Sequence, residues 1–331
     1  MEIQVFLMLR LSNDGLSTPV LPAHLAATTE TIRMTNRREF SRAVCAALIG
    51  YPLAAWAGLA PAGAGLDDNL ARELARLEAE SGGRLGVAVL DTSTGAMAGH
   101  RADQPFPMCS TFKVLAAAAI LRRVDAHEEK LERRIGFTKA DLVSYSPVTE
   151  RQLGGDGMSL AELCEAAVTR SDNTAANLLL ASIGGPANLT AFARTLGDRV
   201  TRLDRIEPEL NEATPDDPRD TTTPNAMAST LQKLVLGDVL SSASRDQLTA
   251  WMIGNKTGDA RLRAGLPVGW RVGDKTGSGA RGTANDVAVI WPAERAPIIV
   301  AVYLTGASGS NDRQNATIAA VARAVSAALL R

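Results

Sequence analysis

The sequence predicts a mixed α/β fold of the α+β kind, with an antiparallel sheet flanked by N- and C-terminal helices and an inserted all-α domain. Strand-like runs occur near both ends of the folding region, at 84–101 and 269–305, whereas residues 107–250 are mostly helical in pattern. A helical run precedes the first strands and another follows the last. The two ends of the chain are therefore expected to build one sheet around a helical insertion.

Local patterns justify the elements in order. A helix is expected at 66–82, because leucines recur there at helical spacing and a Gly pair ends the run. Two strands follow at 84–101 around a Thr-Ser-Thr-Gly turn. Further strands are predicted at GWRVGDKTG, NDVAVIWP and APIIVAVYLT, and a closing helix from about Asn311 to Leu330.

The composition is that of a globular protein. Of the 331 residues, 46% are apolar and 21% are charged, so the chain can bury a large core. The formal net charge of -1, without a long basic block, gives no electrostatic footprint for nucleic acid. After the N-terminal region, no stretch approaches the length that spans a membrane. We expect neither a nucleic-acid partner nor a stable membrane association of the mature protein.

Histidine is scarce, which narrows the chemistry. The chain contains His24, His100 and His127, and none has a second metal ligand at a recognisable spacing. A zinc hydrolase and a His-based catalytic triad are therefore disfavoured, and no metal site is expected.

The three cysteines fit neither a disulfide framework nor a CxxC metal site. Cys45 falls in a segment that we expect to be removed. Cys109 and Cys164 are expected to be buried free thiols, since single buried cysteines behave as small apolar side chains.

The region 1–64 is typical of an upstream extension followed by a twin-arginine export signal. Arg37 and Arg38 precede an apolar run that ends in small residues at Ala64, where cleavage is expected. Because the residues upstream fit no part of such a signal, the expected start is Met34. The alternative is a buried helix preceded by a chance arginine pair.

The mature domain is predicted to span 65–331 and to be periplasmic or secreted. Its α/β part would comprise 65–105 and 252–331, with the all-α part at 106–251 inserted between them. A functional site is expected in a cleft between these two parts.

Three short motifs carry the chemistry. Ser110 lies three positions before Lys113 at the head of a predicted buried helix, so the lysine can reach the hydroxyl. Such a pair alone is expected about once by chance in a chain of this length. Two elements accompany it, Ser171-Asp172-Asn173 at the head of another predicted helix and Lys275-Thr276-Gly277 in a predicted strand.

With these three motifs the sequence resembles the class A serine β-lactamases. The likeness extends from about residue 66 to the C-terminus. It implies the β-lactamase/transpeptidase-like fold and hydrolysis of the β-lactam ring of penicillins and cephalosporins through an acyl-serine, giving antibiotic resistance. It also implies that the protein is a monomer that takes small-molecule β-lactams and needs no metal or organic cofactor.

A second copy of the tripeptide, Lys256-Thr257-Gly258, competes for the role of the third motif. It follows a predicted helix and precedes no strand, so we interpret it as a helix-terminating loop with a Gly cap. Lys275 instead lies between two strand-like runs, where an edge strand can offer an ammonium group and backbone N–H groups to a substrate. Lys275 is therefore predicted to be the substrate-binding copy.

The segment 205–224 lacks periodicity and is rich in carboxylates, Pro and Thr, which indicates a long functional loop. It resembles the Ω-loop of the family, in which the residues matching Glu207 and Asn211 hold the hydrolytic water. Arg205 and Asp220 match the ion pair that closes that loop. The alternative is that Glu207 is one solvated charge among many.

The resemblance also assigns the catalytic roles. Ser110 would attack the lactam carbonyl after losing its proton to Lys113 directly or to Glu207 through a water, and the sequence leaves both routes open. Ser171 would protonate the departing nitrogen. Asn173 would fix Lys113 and the substrate amide.

Substrate binding is assigned on the same grounds. The backbone N–H groups of Ser110 and Ser278 would form the oxyanion hole. Tyr145 resembles an aromatic wall at the cleft mouth, or is a packing residue alone. The substrate carboxylate would be bound by Lys275, Thr276, Gly277, Ser278 and, as in some family members, Arg261.

Two other functions remain as alternatives. A D,D-peptidase or penicillin-binding protein shares the Ser-Lys pair, but Glu207 favours a lactamase because it supplies a base for hydrolysis of the ester. A catalytically inactive binding module is disfavoured because no catalytic position is visibly substituted. One optional family feature is missing, since Ala117 stands where some members have a cysteine that would pair with Cys164.

Overall fold

A computed structural model describes residues 64–330 of the protein. The predicted start at Met34, the arginine pair of the export signal and Cys45 lie outside the described residues. The first described helix begins at Ala64, the residue at which cleavage is predicted. Within 64–330, no helix is both long and apolar enough to cross a membrane.

A five-stranded sheet forms the centre of the fold, in the order β2-β1-β9-β8-β7, and every neighbouring pair is antiparallel. Its strands come from both ends of the described chain, which confirms the predicted fold class. Strand β7 contains Lys275 and lies at the edge of the sheet. The strands are β1 Arg84–Asp91, β2 Met97–His100, β3 Phe106–Pro107, β4 Arg134–Ile135, β5 Met158–Ser159, β6 Thr221–Thr222, β7 Arg271–Gly279, β8 Thr283–Trp291 and β9 Ile298–Thr305.

Helices cover both faces of this sheet. They are α1 Ala64–Ser81, α2 Phe112–Asp125, α3 Leu160–Thr169, α4 Asn173–Ser182, α5 Pro186–Thr195, α6 Pro224–Leu231, α7 Ser242–Ile253, α8 Leu262–Gly265 and α9 Asn311–Leu329. Short 3-10 turns occur at Cys109–Thr111, Lys139–Asp141, Thr149–Gln152 and Glu209–Asn211, and a π-helical segment, Gln232–Leu236, continues α6.

One face of the sheet packs against α1 and α9. Val87 and Val89 of β1 point to this face, because successive side chains of a strand lie on opposite sides. They share a buried cluster with Leu74 of α1 and Val321 of α9. The leucine row that predicts α1 is therefore the row that buries it.

The opposite face is covered by helices of the middle segment. Ala88 and Leu90 of β1 share one hydrophobic core with side chains of α2, α3, α4, α6 and α7. Every residue from Phe112 to Leu121 is buried, so α2 is a central helix that is enclosed on all sides. The sheet and the helical segment thus have a common core, and the domain boundaries at 106 and 251 stay a prediction.

A small ribbon connects the turn before α2 to the long loop. Strand β3 pairs with β6 over two residues, and beside it the Met108 N–H donates to the Asp220 carbonyl at 2.9 Å. Two-residue strands leave no pattern in a sequence, and none is predicted here. The ribbon holds the end of the loop next to the residues that precede Ser110.

The middle segment is less regular than the sequence predicts. Between α2 and α3 the chain passes through 3-10 turns and the paired strands β4 and β5. Thr138 and Ser159 accept backbone N–H groups in capping boxes with Asp141 and Glu162. Such side chains satisfy the backbone locally and so compete with a continuous helix.

Candidate active site

Ser110 lies in the 3-10 turn Cys109–Thr111, directly before α2, and is 8% exposed. The carbonyl of Met108 holds this turn, accepting from Thr111 Oγ1 at 2.9 Å and from Asn285 Nδ2 at 3.0 Å. Cys109 has φ = 45°, a left-handed conformation that costs a non-Gly residue about 1–3 kcal/mol. These contacts to strand β8 fix the backbone on which the hydroxyl sits.

The Glu207 carboxylate is the partner of that hydroxyl. Ser110 Oγ donates to Glu207 Oε1 at 3.1 Å, and Lys113 Nζ lies 2.9 Å from the same oxygen. Asn211 Nδ2 donates to Glu207 Oε2 at 2.5 Å. The side chains of Lys113 and Glu207 are both 0% exposed. The serine and the lysine, which the sequence expects to meet directly, thus meet at a shared carboxylate.

Lys113 Nζ has one acceptor for each ammonium hydrogen. It donates to the Ser171 carbonyl at 2.8 Å and to Asn173 Oδ1 at 2.6 Å, in addition to Glu207. Burial lowers the pKa of Lys113, and the Glu207 carboxylate acts in the opposite direction. Three acceptors around one nitrogen fit the ammonium form.

Asn177 holds the backbone of Glu207, and the sequence analysis missed it. Its amide donates to the Glu207 carbonyl and accepts from the Glu207 N–H, each at 2.9 Å. Asn177 lies four residues after Asn173 on α4 and so shares its helix face. That spacing is the signal that could have identified it.

Asp172 organises the triplet at the start of α4, a structural role that the sequence analysis also missed. It is 0% exposed and caps the helix, accepting from the Ala175 N–H at 2.9 Å. Its other oxygen accepts from the N–H groups of Val148 and Thr149 at 2.9 and 3.0 Å. The buried cap keeps Ser171, with φ = 57°, aimed into the site.

Lys275 on β7 reaches the Ser171 hydroxyl from the other side. Its Nζ donates to Ser171 Oγ at 3.0 Å and to the Thr276 carbonyl at 2.8 Å, while Lys113 Nζ lies 3.5 Å from the same hydroxyl. Burial, together with the positive charge of Lys113, holds the pKa of Lys275 well below its ordinary value. Two lysines therefore flank one serine hydroxyl, which gives a path for a proton.

The rest of the Lys-Thr-Gly strand runs past the nucleophile turn. A Cβ on Gly277 would come within 2.8 Å of the Met108 carbonyl, so a glycine is needed for this approach. Thr276 is 5% exposed, whereas Ser278 is open to solvent. These residues form the edge that a substrate can approach.

Arg261 is more deeply engaged than an anion-binding side chain needs to be. It is 9% exposed, and four of the five N–H groups of a guanidinium have acceptors here. These acceptors are Asn315 Oδ1 at 2.9 Å, the Gly277 carbonyl at 2.7 Å, the Asn285 carbonyl at 2.6 Å and Ser278 Oγ at 2.7 Å. One N–H group is left for a substrate, and the rest support β7 from behind.

The two ends of the long loop are joined by Arg205 and Asp220. Arg205 Nε donates to Asp220 Oδ2 at 2.6 Å, and Asp220 Oδ1 accepts from the N–H groups of Asp204 and Arg205 at 2.8 and 2.9 Å. Glu212 is a second carboxylate partner of Arg205, at 2.6 Å, which the sequence analysis missed. The loop thereby carries Glu207 between fixed ends.

Tyr145 lies outside this hydrogen-bonded group of side chains. It is 62% exposed, and its carbonyl accepts from the Asn173 N–H at 3.0 Å. Its backbone thus helps to hold the triplet, and the role of its ring as a wall of the cleft stays a prediction.

The second Lys-Thr-Gly lies in the loop after α7. The helix is capped at Gly254, so Gly258 is not its cap, contrary to our interpretation of the sequence. Lys256 is exposed, but Thr257 Oγ1 lies 2.5 Å from Thr276 Oγ1. The two copies of the tripeptide therefore touch.

Within residues 64–330, no group of three or more His, Cys, Asp or Glu side chains is arranged to hold a metal ion. Cys109 and Cys164 are buried free thiols, and burial raises the pKa of both. The chemistry of the described site thus comes from hydroxyl, amine, amide and carboxylate groups.

Comparison with known proteins covers the part of the chain that forms this site. Residues 69–329 match the sequence model of the β-lactamase enzyme family. The structure of a class A β-lactamase of the last common ancestor of Gram-negative bacteria is 68% identical, with a TM-score of 0.78, and the match covers 78% of this chain and 99% of that one. This chain belongs to the class A β-lactamase family.

Curated β-lactamases are similar over nearly their whole length. The β-lactamase CTX-M-8 of Citrobacter amalonaticus is 51% identical over 258 residues, which are 78% of this chain and 88% of that relative. The β-lactamase L2 of Stenotrophomonas maltophilia is 49% identical over 289 residues, 86% of this chain and 95% of that relative. The family predicted from the motifs is confirmed, and this β-lactamase is a hydrolase of the β-lactam ring.

Proposed function

We propose that this β-lactamase opens penicillins and cephalosporins with Ser110 as the nucleophile, through an ester on that side chain. One observation carries the proposal, namely that the Ser110 hydroxyl donates to the buried Glu207 carboxylate at 3.1 Å while Asn211 bonds to its second oxygen at 2.5 Å. A serine hydroxyl is a weak nucleophile near neutral pH unless a base takes its proton. Glu207 is within hydrogen-bond distance of that proton.

In the first half-reaction, Ser110 Oγ bonds to the lactam carbonyl carbon as its proton passes to Glu207 Oε1. The three acceptors around Lys113 Nζ favour an ammonium group, which cannot accept a proton, and so support Glu207 rather than Lys113 as the base. The charge that develops on the carbonyl oxygen would be met by the N–H groups of Ser110 and Ser278. Loss of one such donor typically costs about 10²–10³-fold in rate.

The lactam C–N bond then breaks, and the departing nitrogen takes a proton from the Ser171 hydroxyl. Lys113, 3.5 Å from that hydroxyl, replaces the proton and is reprotonated by Glu207, 2.9 Å away. The proton that left Ser110 is thus delivered to the nitrogen. Glu207 becomes a carboxylate again, ready for the second half-reaction.

In the second half-reaction, a water molecule gives a proton to Glu207 and its oxygen attacks the ester carbonyl carbon. The bond from that carbon to Ser110 breaks, and Ser110 Oγ recovers the proton from Glu207. Asn211 lies on the same loop and bonds to the same carboxylate, which supports its part in holding the water. A positioned base contributes about 10²–10⁴-fold, and this step separates a lactamase from a D,D-peptidase.

We assign the substrate carboxylate to Lys275, Thr276 and Ser278 at the edge of the sheet. An edge strand presents unpaired backbone groups as well as side chains, so a substrate can lie along it. Arg261 bonds to Ser278 Oγ at 2.7 Å and adds positive charge behind it.

The first test is turnover of benzylpenicillin and nitrocefin by the purified protein, with and without a chelator. We expect hydrolysis of both and no effect of the chelator. Absence of turnover, or its loss on chelation, would contradict the proposal.

The second test replaces the base. Glu207→Ala should still acylate and then accumulate a stable ester on Ser110, because the water loses its base, and intact-protein mass spectrometry detects the added mass. Glu209→Ala is the matched control, since Glu209 is exposed on the same loop and should leave turnover unchanged. Rapid deacylation by Glu207→Ala would remove Glu207 from this role.

We also propose that residues 1–64 act as a leader that directs export by the twin-arginine route. The Arg37-Arg38 pair before the apolar run supports this. Replacing both arginines by lysine should retain precursor in the cytoplasm, as measured by β-lactamase activity in cell fractions. An unchanged periplasmic fraction would argue for another route.

A further inference from the structure

The second Lys-Thr-Gly has no part in the mechanism above, yet its threonine contacts the substrate-binding strand. Thr257 is half-buried in the loop after α7, and its Oγ1 lies 2.5 Å from Thr276 Oγ1 on β7. Thr276 is 5% exposed. Because Thr276 is assigned to the substrate carboxylate, what bonds to its hydroxyl affects how it meets a substrate.

Neighbouring groups determine which threonine donates. The Thr257 N–H donates at 3.0 Å to Asn255 Oδ1, and Asn255 Nδ2 donates at 2.5 Å to Asp274 Oδ2, so the orientation of the Asn255 amide is fixed at both ends. The Thr257 hydroxyl also bonds to Asn255 Oδ1, at 2.8 Å, and can only donate to it. Thr257 Oγ1 is then left as the acceptor for the Thr276 hydroxyl.

The far end of this chain of hydrogen bonds is anchored in the core. Asn255 is 1% exposed and Asp274 is 0% exposed, and Arg263 Nε donates to Asp274 Oδ1 at 2.6 Å. A Cβ on Gly258 would come within 2.0 Å of Asp274 Oδ2, so the glycine of the second tripeptide is needed for the loop to lie this close. The loop therefore holds Thr257 firmly against β7.

We infer that Thr257 is a positioning residue for recognition of the substrate carboxylate, acting through the hydroxyl of Thr276. The inference rests on the proposed function, in which Thr276 binds that carboxylate. When the anion arrives, Thr276 turns its hydroxyl hydrogen from Thr257 to the carboxylate, and Thr257 turns its own from Asn255 to Thr276. Asn255 Oδ1 keeps the Thr257 N–H, so no buried acceptor loses all its partners. A hydroxyl that accepts one hydrogen bond donates a stronger one.

The test compares a β-lactam acid with its uncharged ester. In Thr257→Val the KM for benzylpenicillin should rise by about five- to tenfold, the loss of roughly one hydrogen bond, while kcat changes by less than about twofold. The KM for benzylpenicillin methyl ester should not change, because the ester lacks the anion. Thr257→Ser should restore the wild-type KM.

Two further variants serve as controls. Thr317→Val on α9 removes a hydroxyl from another half-buried threonine, which donates at 3.0 Å to the Arg313 carbonyl, and should alter neither KM. Thr276→Val shows whether the comparison of acid and ester reports on the carboxylate site. Thr257→Ala repeats the measurement if circular dichroism shows that Thr257→Val is not folded.

The outcomes separate the inference from the proposed function. If Thr276→Val raises the KM of acid and ester equally, the carboxylate assignment fails, and the inference fails with it. If Thr276→Val acts on the acid alone and Thr257→Val acts on neither or on both, the proposed function stands and the inference is wrong.

Discussion

At the scale of single residues, the site is a group of buried charges that compensate one another. The side chains of Lys113 and Glu207 are 0% exposed and lie 2.9 Å apart. Removing one partner of a buried ion pair leaves the other unpaired, which typically costs about 3–5 kcal/mol. Substitutions here therefore change the free energy of unfolding as well as the rate, and both should be measured on the same variant.

Asp286 on β8 is a buried acid outside the catalytic group. It is 0% exposed, and its Oδ2 accepts from the Leu262 N–H at 3.1 Å. Burial, together with the nearby Asp274 carboxylate, raises the pKa of Asp286 well above its ordinary value. Asp286 therefore keeps its proton in the folded protein at pH values where it ionises in the unfolded chain.

The sign of the resulting pH dependence follows from linkage. A carboxyl with a raised pKa in the folded state stabilises the fold fully below its unfolded pKa and loses that contribution as pH rises through the folded value. Asp286→Asn, which mimics the neutral acid, should remove this loss, so its free energy of unfolding should fall less than that of the wild type between about pH 5 and about pH 9.

Urea unfolding at a series of pH values measures this difference. Asp68→Asn, at an exposed position on α1, is the control and should follow the wild-type curve. Parallel curves for wild type and Asp286→Asn would contradict a protonated Asp286.

At the scale of elements, the loop 205–224 carries Glu207 and Asn211 and depends on one ion pair for its shape. Asp220 is 1% exposed and accepts three hydrogen bonds from the other end of the loop. The 3-10 turn Glu209–Asn211 alone is too short to define the loop, so these contacts fix where Glu207 lies.

Asp220→Asn should therefore slow deacylation more than acylation. The amide turns an N–H group toward Arg205, the loop shifts, and a misplacement of about 1 Å at Glu207 costs about 10²-fold. Rapid-quench mass spectrometry separates the two steps. Glu212→Gln, which affects only the 55%-exposed partner of Arg205, should change either step little. Equal slowing of both steps by Asp220→Asn would contradict this reading of the loop.

At the scale of the whole molecule, one core joins the sheet to the middle helices, and α2 is its centre. Leu115 is 0% exposed in that core. Leu115→Ala should lower the free energy of unfolding by about 2–5 kcal/mol, through lost burial and the cavity left behind. Leu153→Ala, at a 37%-exposed position, should change it by less than about 0.5 kcal/mol.

A common core also predicts cooperative unfolding. Far-UV circular dichroism, tryptophan fluorescence and nitrocefin turnover should be lost at the same urea concentration in Leu115→Ala, shifted together from the wild type. Separate transitions would instead support an inserted helical domain that folds by itself.

The sequence by itself determined the family, the order of the long elements and most members of the site. The leucine row at Leu70, Leu74 and Leu77 and the apolar strands β8 and β9 are strong because burial of one face repeats along the chain. The Ser-Lys, Ser-Asp-Asn and Lys-Thr-Gly motifs are local, so each can be found without knowledge of the others.

Only the tertiary structure decided how these pieces meet. Ser110 and Glu207 are 97 positions apart, and Ser171 and Lys275 are 104 positions apart, yet each pair is hydrogen-bonded. The two-residue strands, the grip of Asn177 on Glu207 and the contact of Thr257 with Thr276 have no local pattern. Such contacts arise because a shared core brings distant segments together, and periodicity along a chain carries no information about which ones.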